Sequence, residues 1–370
     1  MPLPPPPRIE LRGTPREVGI EHGKRLSQQI RSQIQVYEAM FQRTSNLNWT
    51  AVRDISNEYR ETISTLTPNI YEEMEGIAEG AGLDILDIVA LNARSEIALG
   101  LFSDGCTSLG WKIPSTGQIF LAQNWDWVPP VQGNLAMVSI EQPGLPKIHM
   151  VAEAGIVGKI GFNSASVGVC LNAIRAHPTN AKKLPIHVAL RLCLQSTSLK
   201  AAVHKLESLS GVASAQHILI ADPTGSMGLE LSPLGNAYIF PNQHGFITHT
   251  NHFLSNRSTG LQEPLWEGIG TIERLERVNH LLGDWAKTQK RPVHAETLRQ
   301  QLFSDTLNAP VSICAQGNPE RPIETRSRTL FCIVMKLGRE GSPPSAEVVW
   351  GRPGNEEETG NNVLKMPWTS

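Results

Sequence analysis

Apolar residues in the first hundred positions recur every three or four residues, which is the period of a helix with one buried face. In the first such stretch, Ile30 and Ile34 would lie on the same face. The period predicts helices over about 26–41, 70–81 and 84–97, and it ends near residue 100. The chain is therefore expected to begin with a helical segment.

Beyond about residue 107 the period changes to that of β-structure. Short runs rich in β-branched and aromatic residues, separated by Gly, Pro and Asn, are typical of antiparallel hairpins. These runs fall at 118–122, 136–141, 147–152, 157–162, 166–171, 216–221, 227–231, 237–240, 246–248, 329–337 and 346–350. Helical patterns over about 186–209 and 266–285 separate the groups of strands. Grouped strands and grouped helices, without strict alternation, predict an α+β protein with packed antiparallel sheets.

The composition is that of a folded protein with a large core. The chain has 370 residues, of which 40% are hydrophobic and 18% are charged. Its 33 Lys and Arg against 35 Asp and Glu give a formal net charge of −2. A near-neutral chain has no strong basic footprint for nucleic acid or a membrane surface. No apolar run approaches the roughly 18 residues of a membrane span. We therefore expect no nucleic-acid or membrane partner.

The cysteines and the two chain ends bear on cellular location. Five cysteines lie far apart, and no CxxC pair occurs. Scattered cysteines in an odd number disfavour a disulfide framework or a zinc ribbon and favour reduced thiols inside the cell. The proline-rich start does not match a secretory signal, and the final Pro-Trp-Thr-Ser does not match a peroxisomal signal. These features predict a cytoplasmic protein.

Sequence motifs for nucleotide or metal chemistry are absent. The chain has no GxxxxGK[ST] phosphate loop, no HExxH and no GxSxG. His244, His249 and His252 lie close in sequence, but their spacing matches no standard zinc pattern. We expect them to be hydrogen-bonding residues near turns, and we predict neither a metal nor a cofactor.

The segment Asp104-Gly105-Cys106-Thr107-Ser108 lies where the helical pattern gives way to the strand pattern. A cysteine with polar neighbours is either a loop cysteine at a junction or a nucleophile. No histidine is close in sequence to activate its thiol. Cleavage before Cys106 would supply a base, because a free α-amine has a pKa of roughly 7.7–8.0 and can accept the thiol proton. Gly105 would tolerate the strained geometry that attack on its carbonyl requires.

Two later segments supply candidate partners for this cysteine. Asp126 ends the stretch Gln123-Asn124-Trp125-Asp126 and is either a strand-end cap or a carboxylate that orients the new amine. Asn251 follows a predicted strand and is either a turn residue or a donor to a developing oxyanion.

Together with other stretches, these segments make the chain resemble the acyl-coenzyme A:6-aminopenicillanic acid acyltransferase family of cysteine-type N-terminal nucleophile hydrolases. The matching stretches follow the family order over most of the chain. They are Arg12–Pro15, Glu21–Gly23, Gly76–Gly82, Leu91–Glu96, Asp104–Thr107, Gln123–Asp126, Glu153–Gly155, Lys159–Asn163 and His249–Phe253.

The resemblance implies a four-layer αββα sandwich and a proenzyme that cleaves itself between Gly105 and Cys106. The products would be a helical small subunit, residues 1–105, and a large catalytic subunit, residues 106–370. The two subunits would stay together as an αβ heterodimer and form one αββα domain.

The resemblance also implies roles for single residues. Cys106 would be both the self-cleaving residue and the nucleophile that accepts the acyl group. Asp126 would fix and polarise the new α-amine, and Asn251 would donate to the oxyanion. Arg328 is a further candidate, for binding a substrate carboxylate.

The implied activity is acyl transfer, with acyl-CoA as co-substrate and an amine-bearing small molecule as acceptor. The acceptor would be 6-aminopenicillanic acid or a related nonribosomal-peptide metabolite, in penicillin or other antibiotic biosynthesis. With water as acceptor, the same atoms would give an amidohydrolase of N-acyl amino acids, peptides or penicillins. A member that never matures would be a non-catalytic binding or scaffold protein. The acceptor pocket decides between transfer and hydrolysis, and the residues of the nucleophile site do not settle that choice.

Overall fold

The computed structural model describes residues 2–98, 105–264, 270–288, 293–338, 342–360 and 362–368. The strands in these ranges, in chain order, are β1 (Arg8–Arg12), β2 (Gly105–Lys112), β3 (Ile119–Trp127), β4 (Leu135–Glu141), β5 (Ile148–Glu153), β6 (Ile160–Asn163), β7 (Gly168–Ala173), β8 (Gln216–Asp222), β9 (Gly225–Leu231), β10 (Ala237–Ile239), β11 (Phe246–His249), β12 (Arg328–Leu337), β13 (Ser345–Trp350) and β14 (Val363–Met366).

The helices are α1 (Pro15–Arg25), α2 (Ser27–Ser45), α3 (Trp49–Leu66), α4 (Pro68–Ala81), α5 (Ile85–Asn92), α6 (Arg94–Ile97), α7 (Ile186–Leu194), α8 (Leu199–Ser208), α9 (Thr271–Thr288), α10 (Ala295–Thr297) and α11 (Glu356–Thr359). Short 3-10 turns cover Pro129–Asn134 and Ile323–Thr325, and a π turn covers Leu298–Leu302.

The strands form two sheets that pack face to face. The first has eight strands in the order β1-β4-β5-β6-β7-β8-β9-β10, and the second has six in the order β11-β2-β3-β12-β13-β14. Neighbouring strands are antiparallel except β1 and β4, which are parallel. The sheets approach closely where β2 crosses β9, because a Cβ at Gly110 would lie only 2.9 Å from the Cβ of Ser226. Only a glycine fits that approach.

Helices cover the outer faces of both sheets. Helices α1, α7 and α8 contact strands of the eight-stranded sheet, and α2–α6 pack around them. Helix α9 and the turn Leu298–Leu302 cover the six-stranded sheet through a separate apolar cluster. The layers are therefore helix, sheet, sheet and helix, and the predicted α+β sandwich of αββα type with a helical N-terminal segment is confirmed.

Several elements differ from the sequence prediction. Strands β2 and β14 are not among the predicted strand runs, and the helix expected over 84–97 is two helices, α5 and α6. Residues 8–12 lie in the stretch expected to be helical, but they form β1, because Ile9 and Leu11 alternate with charged residues and are buried while their neighbours are not. The single helix expected over 186–209 is two helices, and Ser198 caps the second by accepting a hydrogen bond from the backbone N–H of Ala201. Trp266, which began the predicted helix 266–285, lies outside the described residues.

Candidate active site

The register of β2 and β3 places the candidate nucleophile and the candidate carboxylate next to each other. Gly105 lies opposite Asp126, and Cys106 lies opposite Trp125. Side chains alternate between the two faces of a sheet, and those directly opposite share a face. Cys106 and Asp126 therefore point to different sides of the six-stranded sheet.

Contacts of neighbouring residues identify the two sides. Thr107 Oγ1 accepts a hydrogen bond from Arg274 of α9, at 3.1 Å, whereas Ser108 Oγ donates to Asn172 of β7, at 2.7 Å. We call the side of Thr107 and Asp126 the cavity side. We call the side of Ser108 and Cys106 the inter-sheet side.

A cavity of about 240 Å³ opens on the cavity side. Its lining combines two arginines and several small polar side chains with apolar surface, and both members of the Gly105–Asp126 pair reach it. The lining residues are Gly105, Asp126, Arg274, Pro310, Val311, Ser312, Ala315, Asn318, Arg321 and Ser327. Cys106 is 1% exposed, so the cavity ends at Gly105 while the chain is intact.

Asp126 is held from two directions. Thr329 of β12, directly opposite in the register, donates its hydroxyl to Asp126 Oδ1 at 2.6 Å. On the other side, a Cβ at Gly105 would lie 2.7 Å from Asp126 Oδ2, so the carboxylate touches the backbone at the expected cleavage point. Burial raises the pKa of Asp126 to about 7, although the charge of Arg274 and the Thr329 hydrogen bond act against the rise.

Asn251 contacts the backbone nitrogen of the nucleophile. Its Oδ1 accepts a hydrogen bond from Cys106 N at 2.9 Å and another from Arg274 Nη2 at 2.7 Å. Its Nδ2 donates to the carbonyl oxygen of Ala173 at 3.0 Å. The amide oxygen therefore faces the atom that would become the α-amine, and one of the two Nδ2 hydrogens is already used.

Arg274 joins these residues, and the sequence did not single it out. Its Nη1 lies 2.5 Å from the Cys106 carbonyl oxygen. Its side chain is buried, whereas the sequence pattern of α9 predicts apolar residues on the buried face. The apolar residues of the pattern over 266–285 include Ile272, but Ile272 is 55% exposed and the buried face begins with Thr271 and Arg274. Periodicity locates apolar faces and gives no signal for a buried arginine whose partners are backbone and amide oxygens.

Glu230 of β9 anchors the loop that carries Asn251. Its carboxylate accepts hydrogen bonds from His249 Nε2 and from three successive backbone N–H groups, those of Leu254, Ser255 and Asn256. His249 Nδ1 donates to the Thr250 carbonyl oxygen at 2.9 Å. Both ring nitrogens therefore face oxygen atoms, and His249 links Glu230 to the backbone of Thr250. The predicted hydrogen-bonding role of His249 fits this arrangement.

A cluster of buried polar side chains lies on the inter-sheet side of the β2–β3 strand pair. Glu153 accepts hydrogen bonds from Lys159 Nζ at 2.8 Å, Arg94 Nη2 at 2.7 Å, Gln33 Nε2 at 2.8 Å and the Tyr37 hydroxyl at 2.5 Å. All five side chains are at most 2% exposed. We call these residues the Glu153 cluster. Gln33, Tyr37 and Arg94 come from the N-terminal helices, so the cluster joins the two parts of the chain on either side of Gly105.

Arg328 is placed differently from the other candidates. Its Nη1 lies 2.7 Å from Glu358 Oε1, and it does not line the cavity. Its neighbour Thr329 contacts Asp126, because adjacent residues of β12 face opposite sides. The arginines in the cavity lining are Arg274 and Arg321, so a carboxylate-binding role for Arg328 stays a prediction.

Three further observations concern disulfides, metal sites and membrane spans among the described residues. All five cysteines are buried, and none of them forms a disulfide. In the ranges given above, no group of three or more His, Cys, Asp and Glu side chains is arranged to hold a metal ion. None of the helices described is long and apolar enough to cross a membrane.

Comparisons with known proteins extend this picture. Residues 113–354 match the model of the family described as acyl-coenzyme A:6-aminopenicillanic acid acyl-transferase. A relative from Emericella nidulans, the 40 kDa form of acyl-coenzyme A:6-aminopenicillanic-acid-acyltransferase, is 35% identical over 356 residues, which are 95% of this chain and 94% of the relative.

Two solved structures show weaker similarity. A mutant of conjugated bile acid hydrolase from Clostridium perfringens has 13% identity and a TM-score of 0.42, over 71% of this chain and 97% of the other. Penicillin V acylase from Agrobacterium tumefaciens has 14% identity and a TM-score of 0.36, over 70% of this chain and 85% of the other.

Proposed function

The chain belongs to the acyl-coenzyme A:6-aminopenicillanic acid acyl-transferase family, and we propose that it is a self-processing acyltransferase that carries the acyl group as a thioester on Cys106. The donor is an acyl-CoA, and the acceptor is an amine-bearing small molecule such as 6-aminopenicillanic acid. One observation carries the proposal: the Gly105–Cys106 bond lies between the Asp126 carboxylate and the Asn251 amide, with Arg274 on the Cys106 carbonyl.

The first reaction is cleavage of the chain itself. Cys106 Sγ attacks the carbonyl carbon of Gly105, a C–S bond forms, and the C–N bond to Cys106 breaks. The departing nitrogen takes the proton that the thiol released. Water then hydrolyses the thioester, which restores the thiol and leaves a carboxylate on Gly105. Asn251 Oδ1 holds the departing nitrogen, and Asp126, with its pKa raised to about 7, can exchange a proton with it near neutral pH.

The products are residues 1–105 and 106–370, and contacts away from the cleavage point would keep them together. Asn92 Nδ2 donates to the Gly155 carbonyl oxygen, and Asn92 Oδ1 accepts from the backbone N–H of Val157. The N–H of Gly155 donates to His22 Nε2 at 3.1 Å. Together with the Glu153 cluster, these buried bonds support a stable αβ heterodimer, because breaking them would leave unpaired polar groups.

The second reaction uses the new α-amine of Cys106. The amine accepts the thiol proton as Sγ attacks the acyl-CoA thioester, and coenzyme A leaves with that proton as its thiol. The acceptor amine then attacks the Cys106 thioester, forming the amide, and one of its protons returns to Sγ. Asn251 would donate its remaining Nδ2 hydrogen to the oxyanion of each step. Withdrawal of the Gly105 end would open the cavity to Cys106.

Water in place of the acceptor amine would give an amidohydrolase with the same residues. Purified protein incubated with an acyl-CoA and 6-aminopenicillanic acid distinguishes the two. A new amide is the result expected of an acyltransferase, and free acid without amide would overturn it in favour of hydrolysis. Cys106→Ala should remove both products. Cys193→Ala, at another buried cysteine in α7 outside the cavity lining, is the matched control and should keep them. The cytoplasmic location stays a prediction.

A further inference from the structure

The segment that carries Asn251 forms no helix or strand between residues 250 and 256. Backbone N–H groups away from water need acceptors, so side chains must supply them where no strand ladder does. The N–H of Asn251 donates to Thr271 Oγ1 at 2.8 Å. Glu230 accepts from the three successive N–H groups at the end of the segment, at 2.5, 2.8 and 2.7 Å, which are those of Leu254, Ser255 and Asn256. One carboxylate therefore fixes the end of the segment.

The same carboxylate also holds the start of the segment. His249 is the last residue of β11, and its Nε2 lies 2.9 Å from Glu230 Oε1. His217 lies opposite Glu230 in the register of β8 and β9, and its ring stacks on the His249 ring with 3.5 Å between the centroids. Asn251 follows His249 by two positions and precedes Leu254 by three. Both ends of the segment 249–256 are therefore attached to one side chain.

Glu230 is a rigid point of attachment. It lies in β9, between β8 and β10 in the eight-stranded sheet, and it is 0% exposed. Burial acts to raise its pKa, but the hydrogen bonds from His249 and from the backbone N–H groups lower that pKa below its usual value. The carboxylate is therefore ionised at neutral pH, and its hydrogen bonds are charge-assisted, which makes them stronger than bonds between neutral groups.

We propose that Glu230 is a positioning residue, which places the Asn251 amide against the Gly105–Cys106 bond by holding both ends of the segment 249–256. The proposal rests on the proposed function, in which Asn251 holds the departing nitrogen and donates to the oxyanion. Glu230 is not among the residues that line the cavity, and its carboxylate bonds to the segment itself. It therefore acts on the reaction through Asn251.

The other contacts of Asn251 do not replace Glu230. Thr271 and Arg274, at the start of α9, and Ala173, at the end of β7, bond to Asn251 itself and not to the residues that follow it. Without the carboxylate, the chain after Asn251 would have to move to satisfy its backbone N–H groups. A displacement of about 1 Å at a reacting centre can cost about 100-fold in rate.

The first test is Glu230→Gln, which removes the charge and keeps the size of the side chain. Two N–H groups face each carboxylate oxygen. An amide offers one oxygen and one NH₂ group, so in either orientation at least one backbone N–H would face another N–H. Self-cleavage of the full chain, synthesised in a cell-free system, should slow by about 100-fold.

Asp222→Asn is the matched control. Asp222 is a buried carboxyl of the neighbouring strand β8, and it accepts the backbone N–H groups of Leu199 and Thr224, both at 2.8 Å. It lies outside the cavity lining and does not contact the segment 249–256 through these bonds. Asp222→Asn should cleave at the parent's rate. Glu230→Gln with that same rate would overturn the proposal.

A double-mutant cycle shows whether Glu230 acts through Asn251. Asn251→Ala alone should slow cleavage by about 100- to 1,000-fold, the usual cost of losing one oxyanion donor. Adding Glu230→Gln to Asn251→Ala should then slow cleavage by less than about threefold more, because the two substitutions remove the same contribution. A role of Glu230 in the fold alone would give the same loss in both backgrounds, and that result would overturn the proposal.

Transfer by the mature enzyme gives a second readout, once cleavage is complete. Glu230→Gln should lower kcat for amide formation by about 100-fold and leave the KM of the acyl-CoA within about threefold, because Asn251 acts on the reacting atoms. A raised KM with an unchanged kcat would contradict the proposal.

A milder variant keeps the test decisive if Glu230→Gln does not fold. Glu230→Asp keeps the charge on a shorter side chain and should slow cleavage by about tenfold in the parent and by less than about threefold in Asn251→Ala. A parent chain that neither cuts itself nor forms the amide overturns the proposed function, and the Glu230 proposal with it. A parent that does both, with Glu230→Asp and Glu230→Gln unimpaired, overturns the Glu230 proposal alone.

Discussion

The two sides of the β2–β3 strand pair are built for different tasks. Asp126 and Arg274, on the cavity side, and Asn251, which also bonds to Ala173 of β7, contact backbone atoms of residues 105 and 106. All three belong to the large segment. On the inter-sheet side, the Glu153 cluster lies beside the Cys106 side chain and joins both segments. The difference shows that β2 exposes the Gly105–Cys106 peptide bond to one set of groups and the Cys106 sulfur to another. The groups that contact the peptide bond and the groups beside the sulfur can therefore be altered by separate substitutions.

The largest effect on the cavity side is expected from Asp126→Asn. Loss of the carboxylate that touches Gly105 should slow self-cleavage by about 100- to 10,000-fold, the usual contribution of a positioned acid or base. Rate measurement after cell-free synthesis checks this. Asp222→Asn, at a buried hydrogen-bonding aspartate of β8 outside the cavity lining, is the control and should cleave at the parent's rate. Cleavage of Asp126→Asn at that same rate would contradict the account.

Arg274→Met should have the next largest effect. Without the guanidinium, the Cys106 carbonyl and the Asn251 amide lose their common donor, and misplacement of the cleavage point should cost about 100-fold in cleavage rate. Arg277, one turn later in α9, pairs instead with Asp305 at 2.6 Å. Arg277→Met is therefore the matched control. Equal losses in the two variants would mean that Arg274 serves only to hold the helix.

A smaller effect, on substrate binding, is expected to distinguish Arg321, which lines the cavity, from Arg328, which does not. If Arg328 binds a substrate carboxylate, Arg328→Met should raise the KM of a carboxylate-bearing acceptor roughly tenfold and leave kcat unchanged. The same measurement on Arg321→Met tests the cavity lining. A rise for Arg321→Met alone would transfer the role from Arg328 to Arg321.

An effect of another kind is a pH dependence of stability on the cavity side. The pKa of Asp126 is raised to about 7 from 3.8, so the folded chain keeps a proton that the unfolded chain loses between these values. The contribution of Asp126 to stability should therefore fall as pH rises from about 4 to about 7, by at most about 4 kcal/mol. Denaturant unfolding of Cys106→Ala, with and without Asp126→Asn, measures it. A difference between the two that does not change with pH would contradict the raised pKa.

The sequence predicted most of the fold because the spacing of apolar residues shows which side of each helix or strand is buried. It predicted the helical segment and most strands, and it named Cys106, Asp126 and Asn251, which the structure brings together. Their roles stay predictions. Periodicity did not predict β1, whose five residues are too few to stand out beside long helical patterns. It also did not predict β2, whose sequence is interrupted by Gly105 and Gly110, or the four-residue β14.

Residues whose burial depends on distant partners could not be found in this way. Thr329 and Glu230 lie in predicted strands, but nothing in the sequence relates them to Asp126 or to the loop of Asn251. Lys159 and Glu153 belong to stretches that carry the family resemblance, yet the buried cluster that they form depends on packing against the N-terminal helices. A single sequence does not show which side chains from distant segments come into contact.

The central claim is that the chain cuts itself before Cys106 and uses the freed cysteine. Intact mass together with N-terminal sequencing of the purified protein tests it most directly, with Cys106→Ala alongside. The account predicts two associated fragments, the larger beginning with Cys106, and a single uncut chain for Cys106→Ala. A parent protein that stays a single chain of 370 residues, or a Cys106→Ala variant that is cut at the same bond, would contradict it.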